Sequence, residues 1–95
     1  KGKGKEKEIM NRYEVVIPFR VQKQIQTIPL PWRKRVGRMI ELLEENPLLG
    51  EKMKADFDDR WKIRVWPYRI FYRIDKQTKI IILVAVRHRG SAGYK

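Results

Sequence analysis

The sequence predicts an α+β fold, in which two N-terminal helices pack on one face of an antiparallel sheet and the chain order is β-α-α-β-β-β. Apolar residues in the first half recur every three to four positions, as on one face of a helix. After residue 60 they alternate with charged residues, as along a strand. A chain of 95 residues supports one domain with a thin core.

One strand and two helices are predicted before residue 50. Residues 12–17 are rich in β-branched and aromatic side chains, which favours a strand that ends at the following proline. Residues 19–28 carry apolar side chains at helical spacing. A second helix is expected to begin near Trp32, after two prolines, and to end at Asn46-Pro47. The apolar side chains on the shared faces of these helices are Val21, Ile25, Ile28, Val36, Met39, Ile40 and Leu43.

Three strands are predicted in the last third of the chain. Residues 61–65 and 68–74 alternate between apolar and basic side chains, and residues 75–78 form a turn. Residues 79–86 are apolar at nearly every position, which predicts a central strand buried on both faces. These sequential strands form a meander, and we expect the first strand of the chain to lie beside the last.

Composition excludes several classes of protein. The absence of cysteine excludes disulfides, thiolate metal sites and thiol catalysis, and the lone histidine excludes a multi-histidine metal site. No apolar run approaches the ~20 residues of a membrane span, and no signal peptide is visible, so the expected compartment is the cytoplasm. Residues 1–10 are charged and of low complexity, which predicts a disordered extension before one domain at residues 11–95.

The positive charge of the chain is concentrated at one end. The formal net charge is +12, and residues 60–95 contribute +9 of it, with ten Lys/Arg and one Asp. A basic segment of this kind is typical of proteins that contact phosphates. The alternative is a surface that only keeps the chain soluble, but such surfaces intersperse both signs of charge.

Strand alternation predicts that many of these cations share one face of the sheet. They are flanked by aromatic residues that can stack on bases. The alternative is that strand arginines only solvate an exposed face. The predicted face contains Lys62, Arg64, Arg69 and Arg73, followed by Arg87 and Arg89, with Trp66, Tyr68 and Phe71 nearby.

Two further residues are candidates for chemistry. His88 lies between two arginines, whose charges disfavour an imidazolium, and a neutral imidazole can act as a base. Tyr94 is the second candidate, although a lone histidine is more often a bystander and a terminal tyrosine more often a packing anchor. The sequence carries no Gly-rich phosphate loop, and the acidic residues of 51–59 are mixed with lysines. RNA cleavage would then use no metal and no cofactor, because the 2′-OH of RNA can itself attack the neighbouring phosphate.

Three stretches, taken together and in this order, resemble the RelE/ParE toxin superfamily, and most of all its archaeal RelE-type members. The resemblance covers residues 12–94. The stretches are Trp61-Lys62-Ile63-Arg64-Val65, then Tyr68-Arg69-Ile70-Phe71-Tyr72-Arg73-Ile74, then Val84-Ala85-Val86-Arg87-His88-Arg89-Gly90.

The resemblance implies a RelE-like fold and the toxin of a type II toxin–antitoxin pair. Such a toxin enters the ribosomal A site and cuts mRNA there, leaving a 2′,3′-cyclic phosphate and a 5′-hydroxyl. The implied partners are the ribosome, mRNA and a RelB-type antitoxin that wraps the toxin in a heterodimer or heterotetramer. The alternatives are a ParE-like toxin that poisons DNA gyrase without nuclease activity, and a plain RNA-binding module.

The resemblance also implies roles for individual residues. Lys62 and Arg64 correspond to the basic pair of the family, and Arg69 to the arginine that holds the scissile phosphate. The basic residue after the last strand falls on Arg87 or His88. The C-terminal tyrosine falls on Tyr94, which would stack on a base or assist the 2′-OH. The expected catalytic set is Arg69, Arg87, His88 and Tyr94, and the expected RNA-binding set is Lys62, Arg64, Arg73 and Arg89.

Overall fold

A computed structural model describes residues 12–53 and 60–92 of the chain, without the side chains of residues 91 and 92. The predicted extension at residues 1–10 lies outside the described residues, as does the boundary at residue 11, so this division stays a prediction. Among the described residues, no helix is both long enough and apolar enough to span a membrane.

The described elements follow the predicted order, with three additions that the sequence did not predict: a 3-10 turn, a two-residue strand and a short last helix. The second helix begins two residues earlier than predicted. Pro31 lies in its first turn, where the missing N–H of proline has no partner to lose. In chain order the elements are β1 (Glu14–Val16), α1 (Phe19–Gln26), α2 (Leu30–Glu45), a 3-10 turn (Pro47–Leu49), β2 (Glu51–Lys52), β3 (Arg60–Val65), β4 (Tyr68–Asp75), β5 (Ile80–His88) and α3 (Arg89–Ala92).

The five strands form one sheet in the order β1-β5-β4-β3-β2. The predicted antiparallel meander of β3, β4 and β5 is confirmed, and β1 lies beside β5 as expected. The β1–β5 pair is parallel, however, so the sheet is mixed rather than wholly antiparallel. The helices return the chain to β2, which runs opposite to β1, and three successive antiparallel pairings from β2 to β5 then give β5 the direction of β1.

Both long helices pack on one face of the sheet and bury its apolar side chains. The opposite side is here called the open face. Ile81 and Leu83 are buried beneath the helices, whereas Ile82 and Val84 are only half-buried, so the prediction that this strand is buried on both faces is wrong. The core consists of Val21, Ile28, Val36, Ile40, Leu43, Val65, Ile70, Tyr72, Ile74, Ile81, Leu83 and Val86.

The connector between α2 and β2 is fixed to the middle of the sheet by one hydroxyl. The side chain of Tyr72 is fully buried, and its Oη donates a hydrogen bond to the carbonyl of Pro47 at 2.9 Å. The same oxygen accepts a hydrogen bond from the N–H of Gly50 at 3.1 Å. A Cβ at Gly50 would collide with this hydroxyl and with the carbonyl of Lys62, so only glycine fits there.

Candidate functional site

Three arginines lie directly opposite one another across the open face. The register pairs Arg64 of β3 with Arg69 of β4, and Arg69 with Arg87 of β5. We call this set the arginine row. Because neighbouring strands lie ~4.8 Å apart, the row spans about 10 Å. No carboxylate of the described residues forms an ion pair with it. Like charges directly opposite each other destabilise a sheet, so this arrangement favours an anion bound over the row.

A recess beside the row combines basic walls with an apolar floor. Phe71 and Ala85 are cross-strand neighbours. They lie two residues along their strands from Arg69 and Arg87, and therefore on the same face. Lys62 lies opposite Phe71 on β3, and Glu51 of the edge strand pairs with Lys62. The recess is lined by Met53, Arg60, Arg69, Phe71, Val84, Ala85 and Arg87.

The turn between β3 and β4 presents an exposed aromatic ring on the other side of the row from Phe71. Val65 pairs with Tyr68, so Trp66 and Pro67 are the two loop residues, and the peptide bond between them is cis. The Cζ of Arg89 lies 4.6 Å from the ring centroid of Trp66. The N–H of Arg89 donates a hydrogen bond to the carbonyl of Pro67 at 2.7 Å, which joins α3 to this turn. A second recess here is lined by Arg64, Trp66, Pro67, Tyr68, Arg69 and Arg89.

The structure separates His88 from the arginines with which it was grouped. β5 continues to residue 88, two residues beyond the predicted end, so neighbouring side chains alternate between faces. Arg87 therefore lies opposite Arg69 on the open face, while His88 pairs with Tyr68 on the side of the helices. The two rings meet edge to face with centroids 5.2 Å apart. The Nδ1 of His88 accepts a hydrogen bond from the N–H of Gly90 at 3.1 Å, which leaves the ring proton on Nε2.

The other predicted site residues are placed as follows. Lys62, Arg64, Arg69, Arg73 and Arg87 share the open face, as the alternation predicted. Arg89 begins α3 and lies over Trp66, and Tyr94 lies outside the described residues.

Four residues that line the open-face recess are not among the predicted site residues: Met53, Arg60, Val84 and Ala85. Arg60 could have been found, because it continues the alternation of Lys62 and Arg64 by one more step. Met53 could not have been found, because only the fold brings it beside β4 and β5.

Two carboxylates lie at the opposite end of the sheet. Glu14 of β1 and Asp75 of β4 both lie beside Ile80, at the far end of β5 from Arg87. Asp75 accepts hydrogen bonds from the N–H groups of Thr78 and Gln77, and these bonds hold its pKa below the usual value. Within residues 12–53 and 60–92, no cluster of three or more His, Cys, Asp and Glu could hold a metal ion.

One comparison with known proteins shows the family of the chain, and another shows its fold. A family model described as "ParE toxin of type II toxin-antitoxin system, parDE" matches residues 20–93. No curated protein sequence shows a significant match.

Solved structures of toxin–antitoxin complexes share the fold. The RelBE2 complex of Mycobacterium tuberculosis matches with a TM-score of 0.75 and 22% identity, over 82% of this chain and 99% of that one. The archaeal RelE–RelB complex of Pyrococcus horikoshii matches with a TM-score of 0.69 and 23% identity, over 83% and 97%. The RelB–RelE complex of Methanococcus jannaschii matches with a TM-score of 0.66 and 27% identity, over 82% and 94%.

Proposed function

We propose a function from one premise: this chain belongs to the ParE toxin family of type II toxin–antitoxin systems. Its fold is close to that of RelE toxins. The proposed activity is that of a ribosome-dependent endoribonuclease, which cleaves mRNA in the A site and so inhibits translation. The observation that supports this proposal most strongly is the arginine row on the open face.

The row suits the charge that develops during RNA cleavage. The 2′-oxygen gives its proton to a general base and forms a bond to the adjacent phosphorus, while the bond from phosphorus to the 5′-oxygen breaks and that oxygen takes a proton from a general acid. The pentavalent phosphorus carries extra negative charge between these two events. Preorganised donors aimed at such charge are usually the largest single catalytic contribution. Arg69 lies at the centre of the row, so it is the proposed contact to the scissile phosphate.

The guanidinium groups have a restricted role in this scheme. Arginine stays protonated in proteins, so Arg64, Arg69 and Arg87 would donate hydrogen bonds and charge but would not accept the proton of the 2′-OH. His88 leaves the proposed catalytic set, because it lies on the other side of the sheet and its Nδ1 is already engaged. Tyr94 retains its predicted role of base stacking or assistance to the 2′-OH. Lys62, Arg73 and Arg89 are the proposed contacts to the rest of the RNA.

A protein partner is also proposed. The complexes with similar folds pair a RelE toxin with a RelB antitoxin, and we propose a RelB-type antitoxin for this chain, in a heterodimer or heterotetramer in the cytoplasm. Its open face offers a basic surface to acidic segments. Exposed apolar side chains lie on or next to the helices and suit contact with a protein: Phe19, Leu30, Leu48 and Leu49.

Mapping of mRNA ends tests the nuclease directly. The purified full chain is added to ribosomes stalled on a defined mRNA, and both ends of each product are identified. Cuts within the A-site codon that leave a 2′,3′-cyclic phosphate and a 5′-hydroxyl are expected. Intact mRNA would contradict the proposed function, and products with a 3′-hydroxyl and a 5′-phosphate would contradict attack by the 2′-OH.

The central arginine gives the sharpest variant. Arg69→Ala is expected to lower the cleavage rate by about 100-fold or more, because loss of one preorganised donor typically costs that much. Arg20→Ala is the matched control, since it removes the same charge from the exposed start of α1. Near-normal cleavage by the Arg69 variant would remove this residue from the site.

A second candidate function is inhibition of DNA gyrase, which the resemblance assigns to ParE-type members. The observation that favours it is the family match itself, which names ParE rather than RelE. The discriminating measurement is a parallel assay of gyrase-dependent DNA breaks with the same preparation. DNA breaks together with intact mRNA would establish this alternative.

A further inference from the structure

We propose that Trp66 and Arg89 form a stacking site for one unpaired nucleobase, next to the phosphate bound by the arginine row. The inference rests on the proposed ribonuclease function and specifies where the substrate base adjoining the cleaved bond would lie. It concerns the recess at the β3–β4 turn and not the recess floored by Phe71.

The indole of Trp66 has no packing role that would explain its position. It is 61% exposed, although tryptophan is among the most apolar and bulky side chains. It occupies a two-residue loop whose flanking residues, Val65 and Tyr68, are paired across the strands. The backbone on both sides is therefore held by the sheet, so the exposed ring is presented from a fixed point rather than from a long loop.

Arg89 prepares the ring to receive a flat ligand. Its guanidinium lies over the indole, with Cζ 4.6 Å from the ring centroid, which is within the range of a cation–π contact. Its backbone N–H is bonded to the carbonyl of Pro67, so the start of α3 and the turn are joined at two points. Guanidinium and indole planes both stack on bases, and a base in contact with this pair would meet a preorganised surface.

The stacking pair and the phosphate site belong to one recess. The same recess is lined by Arg64 and Arg69, two members of the arginine row. Trp66 follows Arg64 by two residues, so the Cα atoms that carry the ring and the guanidinium lie at most about 7 Å apart. This separation suits the base and the phosphate of a single nucleotide. Stacking on an aromatic face tolerates every base, so the site would fix the position of the nucleotide more than its identity.

Binding to a non-cleavable RNA tests the inference without requiring catalysis. The probe is a short, fluorescently labelled oligoribonucleotide with 2′-O-methyl groups, which block the attacking oxygen, and affinity is measured by anisotropy with the full chain. Trp66→Ala is expected to weaken binding by about 5- to 150-fold, the range found for loss of one base–aromatic stack. Trp66→Phe keeps a ring and is expected to remain nearer to wild type. Trp32→Ala, an exposed tryptophan on the helix-covered side, is the matched control.

An abasic scan shows whether the contact is to a base. One abasic position in the probe is expected to weaken binding to the wild type by the same factor, and to have no further effect on Trp66→Ala. An equal effect of every abasic position on both proteins would overturn the inference. Thermal denaturation confirms that the variants are folded.

The outcomes separate this inference from the proposed function. Wild-type RNA affinity of Trp66→Ala, or absence of RNA binding by the wild type, overturns the inference. A variant that loses only affinity for an acidic or apolar protein partner assigns Trp66 to that partner and also overturns it. Trp66-dependent stacking together with intact ribosomal mRNA supports the inference and rejects the nuclease. Ribosome-dependent cleavage at the same rate by the wild type and by Trp66→Ala, with equal RNA affinity, supports the nuclease and rejects the stacking site.

Discussion

Removal of the central arginine of the row should make the protein more stable while it makes it less active. Arg69 lies between Arg64 and Arg87, so it takes part in both of the directly opposed like-charge pairs. Arg69→Gln keeps most of the length and polarity of the side chain and removes its charge. Both repulsive pairs disappear at once, whereas Arg64→Gln would relieve only one of them.

The size of the gain follows from Coulomb's law. Opposed Cβ atoms in an antiparallel pair lie about 5 Å apart, and two unit charges at that spacing in water repel by about 0.8 kcal/mol, which is an upper value for guanidinium groups that can turn apart. Two pairs give about 1.7 kcal/mol before screening. A Debye length of about 8 Å at physiological ionic strength reduces this to about 0.9 kcal/mol, and one of about 3 Å at 1 M salt reduces it to about 0.3 kcal/mol. For a domain of this size, the first value corresponds to a rise in Tm of roughly 4–7 °C.

Urea denaturation at the two ionic strengths measures this gain. The free energy of unfolding of Arg69→Gln should exceed that of the wild type at physiological salt, and the difference should shrink about threefold at 1 M. Arg64→Gln should show about half the effect. Lys76→Gln removes the same charge from the exposed β4–β5 turn and is the control. A lower free energy of unfolding for Arg69→Gln than for the wild type would refute the reasoning. So would an increase in this free energy that is equal at both salt concentrations.

Two further predictions concern hydrogen-bonded groups outside the site. Tyr72→Phe should lower the free energy of unfolding by about 1–3 kcal/mol, because the Pro47 carbonyl and the Gly50 N–H lose their partner. Burial raises the pKa of Tyr72, so this stabilisation is complete below the unfolded pKa near 10 and is lost as pH rises through the folded pKa; urea melts across that range should show a slope that the variant lacks. The pKa of Asp75 is lowered by its hydrogen bonds from Thr78 and Gln77, so its stabilisation is present above the unfolded pKa near 3.8 and is lost as pH falls through the folded pKa. Acid denaturation of Asp75→Ala should therefore be flatter than that of the wild type, and identical acid limbs would contradict the assignment.

The sequence predicted which basic side chains share the open face, because side chains alternate between the two faces of a strand at every residue. Alternation by two is a property of neighbouring residues, and in a meander the partners of each strand are its neighbours in sequence. Arg64 and Arg69, which are separated by one tight turn, could therefore be assigned to one face without knowledge of the helices. The same local rule extends to Arg60, which was overlooked.

The errors arose where the outcome depended on distant segments. The end of the apolar run at Val86 predicts that His88 follows the last strand, but β4 supplies pairing partners as far as Tyr68 and so extends β5 to residue 88. Once residue 88 belongs to a strand, alternation alone separates it from Arg87. The contact of Arg89 with Trp66 joins residues far apart in the chain, and no local pattern predicts it.

The position of Gly50 has a consequence for the dynamics of the fold. Its amide lies on a connector between a helix and a short edge strand, a place where amide hydrogens usually exchange quickly through local opening. Here the acceptor is the hydroxyl of Tyr72, a residue in the centre of the sheet and fully enclosed by the core. That bond breaks only when the connector leaves the ring or when the ring leaves the core. The hydrogen-exchange rate of the Gly50 amide therefore reports whether the connector and the sheet open together as one cooperative unit.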